Sequence, residues 1–151
     1  MTIALEEICT FIVELARPHE IGEIAGAARR IIPIVGGKVV GARLSGKILN
    51  VGADWQSMEG DRLAHLDARY AVETNDGALI EVSSQGLRHM STDVARRIAS
   101  GEAVDPGSYY MRTLIRLQCG DPRYGWVNES LFLATGGKSG TTVRLAVYRV
   151  G

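Results

Sequence analysis

The sequence predicts an all-β fold, a single antiparallel β-barrel of about eight or nine strands with one short helix. Short runs in which apolar and polar residues alternate recur at intervals of roughly ten to fifteen residues. The chain also contains 18 glycines, which provide the turns and bends that a curved sheet requires. A barrel is favoured over a sandwich because closure leaves no exposed strand edge.

The length and the charge of the chain limit the classes of protein to which it can belong. A chain of 151 residues predicts one domain over residues 1–151, with a core large enough to need no disulfide. Apolar residues make up 46% and charged residues 23%, which is typical of a globular protein rather than a disordered one. Basic and acidic residues are equal at 17 each, so no overall field attracts nucleic acid or a lipid surface. We therefore expect neither of these as a partner.

The acidic residues and cysteines indicate the compartment. Glu6, Glu7 and Glu14 interrupt the first apolar run, which argues against a secretory leader and a membrane span. Cys9 and Cys119 are the two cysteines, and neither belongs to a Cys-x-x-Cys unit. We therefore predict reduced core thiols, rather than a disulfide or metal pair, in a cytoplasmic protein.

The first third of the chain predicts strands separated by glycines. Residues 9–15 alternate with period two, although this run is also compatible with a short helix. Residues 24–34 predict a second strand, with Pro33 at an edge or a bulge. The glycine pair at 36–37 predicts a turn into the following segment, residues 38–52.

The clearest element is a hairpin. Residues 65–74 alternate, Asn75, Asp76 and Gly77 supply a tight turn, and residues 78–84 return. Either face of the first strand can point inward, because period two does not give the direction. One face carries Asp67, Arg69 and Glu73, and the other carries Leu66, Ala68, Tyr70 and Val72.

The last third predicts the single helix and the remaining strands. Ser91 or Thr92 caps a short helix that Gly101 ends. Further strands are predicted over residues 109–119, 125–135 and 141–150, with a turn at 121–122 and a glycine-rich hairpin at 136–140.

Asp54 is the first candidate for chemistry. It stands beside Trp55 after a strand pattern, and a carboxyl group against bulky apolar surface can have its pKa raised enough to move protons near neutral pH. The alternative is that Asp54 caps a turn and Trp55 plugs one end of the barrel.

Asp67 and Arg69 are a second candidate, because they share a strand face. If that face points into the lumen, Arg69 is a forked donor for an anionic oxygen. On the outer surface the same pair contributes little.

Two further groups could bind a small planar ligand. Tyr110 and Arg112 share one strand face. Tyr124, Trp126 and Asn128 repeat at period two and could form an aromatic clamp with one amide. The alternative for this second group is core packing, with Asn128 fixing a turn.

The sequence lacks the motifs of metal-binding, cofactor-binding and serine-nucleophile sites. The three histidines, His19, His65 and His89, have no metal-ligand spacing, so we expect no metal. No P-loop, dinucleotide-binding fingerprint or Gly-x-Ser-x-Gly elbow occurs, so we expect no cofactor.

Four segments between residues 20 and 151 read, in order, PIVGGKVVGARLSGKILNVGADWQ, LDARYAVETNDGALIEV, YYMRT and YGWVNESLFLATG. Their succession resembles the bacterial and fungal domain of unknown function 3237 family. The resemblance implies a calycin-like barrel that often forms oligomers, with no agreed activity. The chain departs from the family pattern after Thr113, where Leu114 and Ile115 replace a proline-containing continuation. The matching motifs fall on Asp54, Trp55, Arg69, Tyr70, Asp76, Gly77, Tyr110, Arg112, Trp126 and Asn128.

These observations lead to a functional hypothesis with two alternatives. The leading hypothesis is an enzyme without a cofactor that isomerises, cyclises, hydrates or dehydrates a small carbonyl-bearing or aromatic metabolite by acid–base catalysis. The alternatives are a non-catalytic barrel that binds a small hydrophobic acid and an interaction module whose barrel is solid. A small-molecule ligand and further copies of the chain are the expected partners. In the enzyme hypothesis, Asp54 moves a proton, Arg69 and Arg112 hold an anionic oxygen, Tyr110 donates a proton, and Trp55 and Trp126 form apolar walls.

Overall fold

A closed antiparallel β-barrel of eight strands with two additional strands forms the molecule, as the sequence predicts. The structure is a computed structural model that describes all residues from 1 to 151. Its strands are β1 (Leu5–Leu15), β2 (His19–Ile24), β3 (Ala27–Val40), β4 (Gly46–Ile48), β5 (Gly52–Glu59), β6 (Leu63–Thr74), β7 (Leu79–His89), β8 (Tyr110–Cys119), β9 (Phe132–Ser139) and β10 (Thr142–Val150). Its helices are α1 (Thr92–Ala99) and α2 (Gly125–Asn128).

The barrel closes through β1, which pairs with both β10 and β3. From β10 the order around the wall is β9, β8, β7 and β6. β4 and β5 then share the space between β6 and β3, each pairing with both neighbours over a different stretch. β2 pairs with β3 beyond the point where β1 ends. The count exceeds the predicted eight or nine strands because two positions in the wall are each filled by two strands.

The glycine pair at 36–37 does not form the predicted turn. β3 runs through both residues, and Gly37 takes a positive φ of 126° opposite Val13, while the register between β1 and β3 shifts just before the pair, between Ile34 and Gly36. The turn lies earlier, at Ala25 and Gly26, inside the segment that the alternation assigned to one strand. The predicted strand at 125–135 is also partly wrong, because α2 occupies its first residues.

Other local predictions are confirmed. β6 and β7 form the expected hairpin, and Gly77 takes a φ of 90° in its turn, which L side chains rarely adopt. The Ser91 hydroxyl accepts a hydrogen bond from the Val94 amide and caps α1. Cys9 and Cys119 are buried free thiols.

The two ends of the barrel differ. At one end α2 places Trp126 edge-to-face against Phe132, with the ring centroids 6.2 Å apart. At the other end, residues 90–109, here called the cap segment, connect β7 to β8 and bury Val94 of α1. None of the helices has the length and apolar content needed to cross a membrane.

Candidate functional site

A cavity of about 60 Å³ lies inside the barrel. Nine of its twelve lining residues are hydrophobic, so most of the wall offers only apolar contact. The other three are Asp54, Ser84 and Thr113, and the phenol of Tyr70 adds one more polar group. An apolar space with a few convergent polar groups is the usual form of a small-molecule site.

Asp54 reaches the cavity from β5, where its carboxylate interrupts the pairing of β5 with β6. Its Oδ1 accepts a hydrogen bond from the Asp67 amide at 2.9 Å, and its Oδ2 lies 3.5 Å from Nε2 of Gln56. Burial raises the pKa of Asp54 above its ordinary value of 3.8, although these hydrogen bonds and the charge of Arg88 oppose the shift. The carboxyl group therefore exchanges its proton closer to neutral pH than a surface aspartate does.

Two buried hydroxyl groups in the cavity have no protein partner. Tyr70 and Thr113 are each 5% exposed, and neither the Tyr70 oxygen nor Oγ1 of Thr113 forms a hydrogen bond within the chain. Burial raises the pKa of Tyr70, so its phenol keeps the proton. Because buried polar groups are normally paired, these two hydroxyls are available to a water molecule or a ligand in the cavity.

Three basic residues, here called the mouth cations, lie half-buried on the inward faces of their strands near the end of the barrel that carries the cap segment: Arg30, Arg88 and Lys138. Nε of Arg30 donates to Oε1 of Gln56 at 2.8 Å, which links this arginine to the residue beside Asp54. Burial and the charge of Arg30 lower the pKa of Arg88, and burial and Arg88 lower the pKa of Lys138. The mouth of the barrel is therefore positively charged, with Asp54 as the carboxylate inside it.

Asp54 is the one predicted catalytic residue that lines the cavity. The other predicted site residues on β5 and β6 point outward, because the apolar face of β6 is the buried one. Trp55 is 54% exposed and forms no wall of the cavity. Arg69 forms an ion pair with Glu81 on the outer surface, and Asp67 accepts a hydrogen bond there from Gln85. Of the two directions that the sequence leaves open for this strand, the structure has the apolar face inside, and the alternative with the polar face in the lumen is wrong.

Tyr110 and Arg112 share a face of β8, as predicted, but that face is also the outer one. The Tyr110 ring stacks on His89 with centroids 4.8 Å apart, and the Arg112 guanidinium lies 5.1 Å from the Tyr110 ring. Both line a shallow outer depression of about 560 Å³ with Leu114 and Leu133. Neither side chain reaches Asp54, so the predicted proton donor and anion holder on β8 are not part of the cavity.

Tyr124, Trp126 and Asn128 lie at the end of the barrel opposite the cap segment. The Tyr124 hydroxyl donates to Asp76 at 2.8 Å, and the Asn128 amide both donates to and accepts from the backbone of Cys119. None of the three predicted clamp residues lines the cavity. They close the barrel and hold the end of β8.

The residues that the sequence interpretation missed are Tyr70, Thr113 and the mouth cations. Tyr70 lies on the apolar face of β6 that the sequence offers as one of two possible inner faces, and Thr113 lies on the face of β8 opposite to Tyr110 and Arg112. A signal for Arg88 was present, because it continues the period-two face of Val82 and Ser84. Hydropathy assigns an arginine on such a face to solvent, and only the closed wall shows that it points inward.

Comparison with known proteins places the chain in a family. A crystal structure from Rhodopseudomonas palustris, of a conserved protein of unknown function, is 36% identical, with a TM-score of 0.95, covering 100% of this chain and 99% of that one. A beta-barrel like protein from Acinetobacter baumannii is 38% identical, with a TM-score of 0.88 and coverage of 100% and 98%. An enzyme from Penicillium herquei shares the fold alone, at 15% identity, a TM-score of 0.74 and coverage of 100% and 96%. The model of the family described as Protein of unknown function (DUF3237) matches residues 3–150, and the chain belongs to that family.

Proposed function

We propose that this barrel is an enzyme that works without a cofactor and rearranges a small carbonyl-bearing metabolite by acid–base catalysis. The observation that carries the proposal is the grouping of Asp54, Tyr70 and Thr113 in one largely apolar cavity. The barrel fold also occurs in the Penicillium herquei enzyme, so the architecture can hold an active site. Isomerisation, cyclisation, and the addition or elimination of water all fit this grouping.

The chemistry follows from the protonation states of the three groups. An ionised Asp54 takes a proton from a carbon next to the substrate carbonyl, and the electron pair of that bond moves onto the carbonyl oxygen. Tyr70 and Thr113 donate hydrogen bonds to the resulting oxyanion. Asp54 then returns the proton to a carbon, which completes an isomerisation without net oxidation or reduction.

Low local polarity strengthens this arrangement. Most of the cavity wall is hydrophobic, and electrostatic interactions are stronger in such surroundings than in water. The raised pKa of Asp54 brings a carboxylate base closer to the working pH, where proton transfer is most efficient.

The size of the cavity selects among the predicted substrates. An engineered cavity of about 150 Å³ holds a benzene ring. This cavity is about 60 Å³, so an aromatic ring does not fit without movement of the wall. A short carbonyl compound fits, with room for about four water-sized groups. We therefore favour the small carbonyl-bearing class over the aromatic one.

A second candidate function is supported by the mouth cations. A positively charged mouth above an apolar cavity also suits a barrel that binds or carries a small hydrophobic acid without altering it. Turnover separates the two functions, because a carrier binds its ligand and returns it unchanged.

Deuterium exchange tests the enzyme proposal. We expect the wild-type protein to accelerate exchange at C3 of 2-oxobutanoate in D₂O, followed by proton NMR. Asp54→Asn removes the base and should slow that exchange by about a hundredfold or more. Asp61→Asn is the matched control and should leave the exchange rate unchanged, since Asp61 is exposed in the turn between β5 and β6 and its charge is not among those that shift the pKa of Asp54. Bound acid without exchange in the wild-type protein supports the carrier instead.

A further inference from the structure

We propose that the mouth cations form a subsite for the carboxylate of the substrate, which makes the substrate a short-chain oxo acid. The inference deepens the function proposed above, because it uses the same cavity. It assigns recognition to Arg88 and Lys138, with Arg30 held ready beside them.

The strands bring these side chains to one end of the barrel. Arg88 lies near the end of β7, opposite Met111 of β8, and Met111 lines the cavity. Lys138 lies one residue before the end of β9, opposite Val143, which also lines the cavity. Arg30 lies opposite Gln56 across β3 and β5. All three cations therefore lie at the cap-segment end of the barrel, beside or across from residues near the cavity, although none of them lines it.

Two of the three cations have no protein partner. The guanidinium of Arg88 and the ammonium of Lys138 form no hydrogen bond within the chain and no ion pair within 4.0 Å. Arg30 donates to Gln56 and lies 4.0 Å from Glu20 on the exposed β2 strand. The charged heads of both residues reach solvent, because the buried side-chain atoms without a hydrogen-bond partner are those of Tyr70 and Thr113 alone, so both heads are free to bind an anion at this end of the barrel.

The shape of the site specifies the rest of the ligand. The mouth takes a carboxylate, while the cavity below has room for about four water-sized groups. A carbonyl group with a short alkyl chain fills that room. The carboxylate at Arg88 and Lys138 then directs the carbonyl towards Tyr70 and Thr113, with the neighbouring carbon near Asp54.

The charges that face the mouth favour a monocarboxylate. Asp54 already supplies one negative charge among three cations, and Tyr109 of the cap segment accepts a hydrogen bond from the Lys138 amide. An apolar tail suits the hydrophobic wall below, and inorganic phosphate offers no such tail. The two anions are therefore distinguishable by affinity.

Calorimetric titration of the whole chain tests the subsite. The probes are acetate, 2-oxopropanoate, 2-oxobutanoate and 4-oxopentanoate, with the neutral 2-oxobutanamide and inorganic phosphate for comparison. We expect 2-oxobutanoate to bind at least about tenfold more tightly than its amide, because charge-assisted hydrogen bonds are lost with the charge. Arg88→Met and Lys138→Met should each weaken acid binding by about tenfold or more and leave amide binding unchanged.

Arg116→Met is the matched control, since this arginine lies on the exposed outer face of β8 and should not affect binding. Equal affinity for acid and amide, failure of all four acids to bind, or unchanged affinity in both mouth variants would overturn the subsite. Tighter binding of phosphate than of 2-oxobutanoate would assign the mouth to phosphoryl groups instead.

Two further measurements distinguish a loss of acid binding from a loss of folding and from a loss of catalysis. Both mouth variants should keep a single cooperative melting transition; Lys138→Met should keep the melting temperature of the wild type, whereas Arg88→Met should lower it, because the charge of Arg88 favours the ionised form of Asp54. Asp54→Asn should still bind 2-oxobutanoate. If that variant binds the acid and keeps full exchange activity, the base assignment is wrong while the carboxylate subsite stands.

Discussion

Replacing Tyr70 by Phe removes one oxygen atom and tests the cavity directly. The Tyr70 hydroxyl is buried without a protein partner, and burying such a group costs about 1–3 kcal/mol. The ring itself is retained, so its edge-to-face packing on Phe11, at a centroid distance of 6.4 Å, should persist. We expect Tyr70→Phe to be more stable than the wild type by about 1 kcal/mol, a rise in melting temperature of about 2–4 °C.

Tyr109→Phe is the matched control. Tyr109 is similarly buried, but its hydroxyl accepts a hydrogen bond from the Lys138 amide at 2.8 Å. Its removal leaves a donor without its partner and should destabilise the protein by about 1–3 kcal/mol. Urea unfolding of both variants measures the difference. A loss of stability in Tyr70→Phe equal to that in Tyr109→Phe would show that the Tyr70 hydroxyl is paired in the protein and would refute its availability to a ligand.

Three further predictions concern other parts of the molecule. The pKa of Asp54 is raised on folding, so wild-type stability should fall as pH rises through that raised value, and Asp54→Asn should lack this loss in urea unfolding followed against pH. Asn128→Ala loses two hydrogen bonds to Cys119 and should cost about 2 kcal/mol in the same assay while leaving 2-oxobutanoate affinity unchanged; weaker binding would contradict its structural role. Both thiols should resist a thiol reagent at pH 8 until the protein is unfolded, because both are buried and the pKa of Cys9 is raised to about 12; rapid labelling of the native protein would count against this.

The sequence alone predicts the fold class, because the local strand and turn patterns agree with the closed barrel. Alternation over β6 and β7, with Gly77 in the left-handed turn between them, specifies a hairpin without any tertiary information. The glycine pair at 36–37 misleads, because a glycine that allows a turn is also the residue that fits inside a strand where the paired strand, here β1, approaches closely. An added Cβ on Gly37 would lie 2.0 Å from the Ile12 carbonyl oxygen, so the close approach explains that glycine.

The site is only partly predictable, for a physical reason. Period two assigns residues to two faces but does not say which face is inside, and β6 and β8 both carry attractive polar residues on the face that proves to be external. Asp54 was identified because its neighbour Trp55 suggested low polarity, yet Trp55 itself points to solvent. Arg88 and Lys138 point inward because the barrel wall closes around them, and no local sequence pattern indicates that direction.

A crystal structure of the protein soaked with 2-oxobutanoate tests the central claim most directly. The account predicts density inside the barrel, with the carboxylate against Arg88 and Lys138 and the carbonyl oxygen within hydrogen-bond distance of Tyr70. Density in the outer depression beside Tyr110 and Arg112, with the cavity unentered, would contradict it and would return the search for the function to the outer face of the sheet.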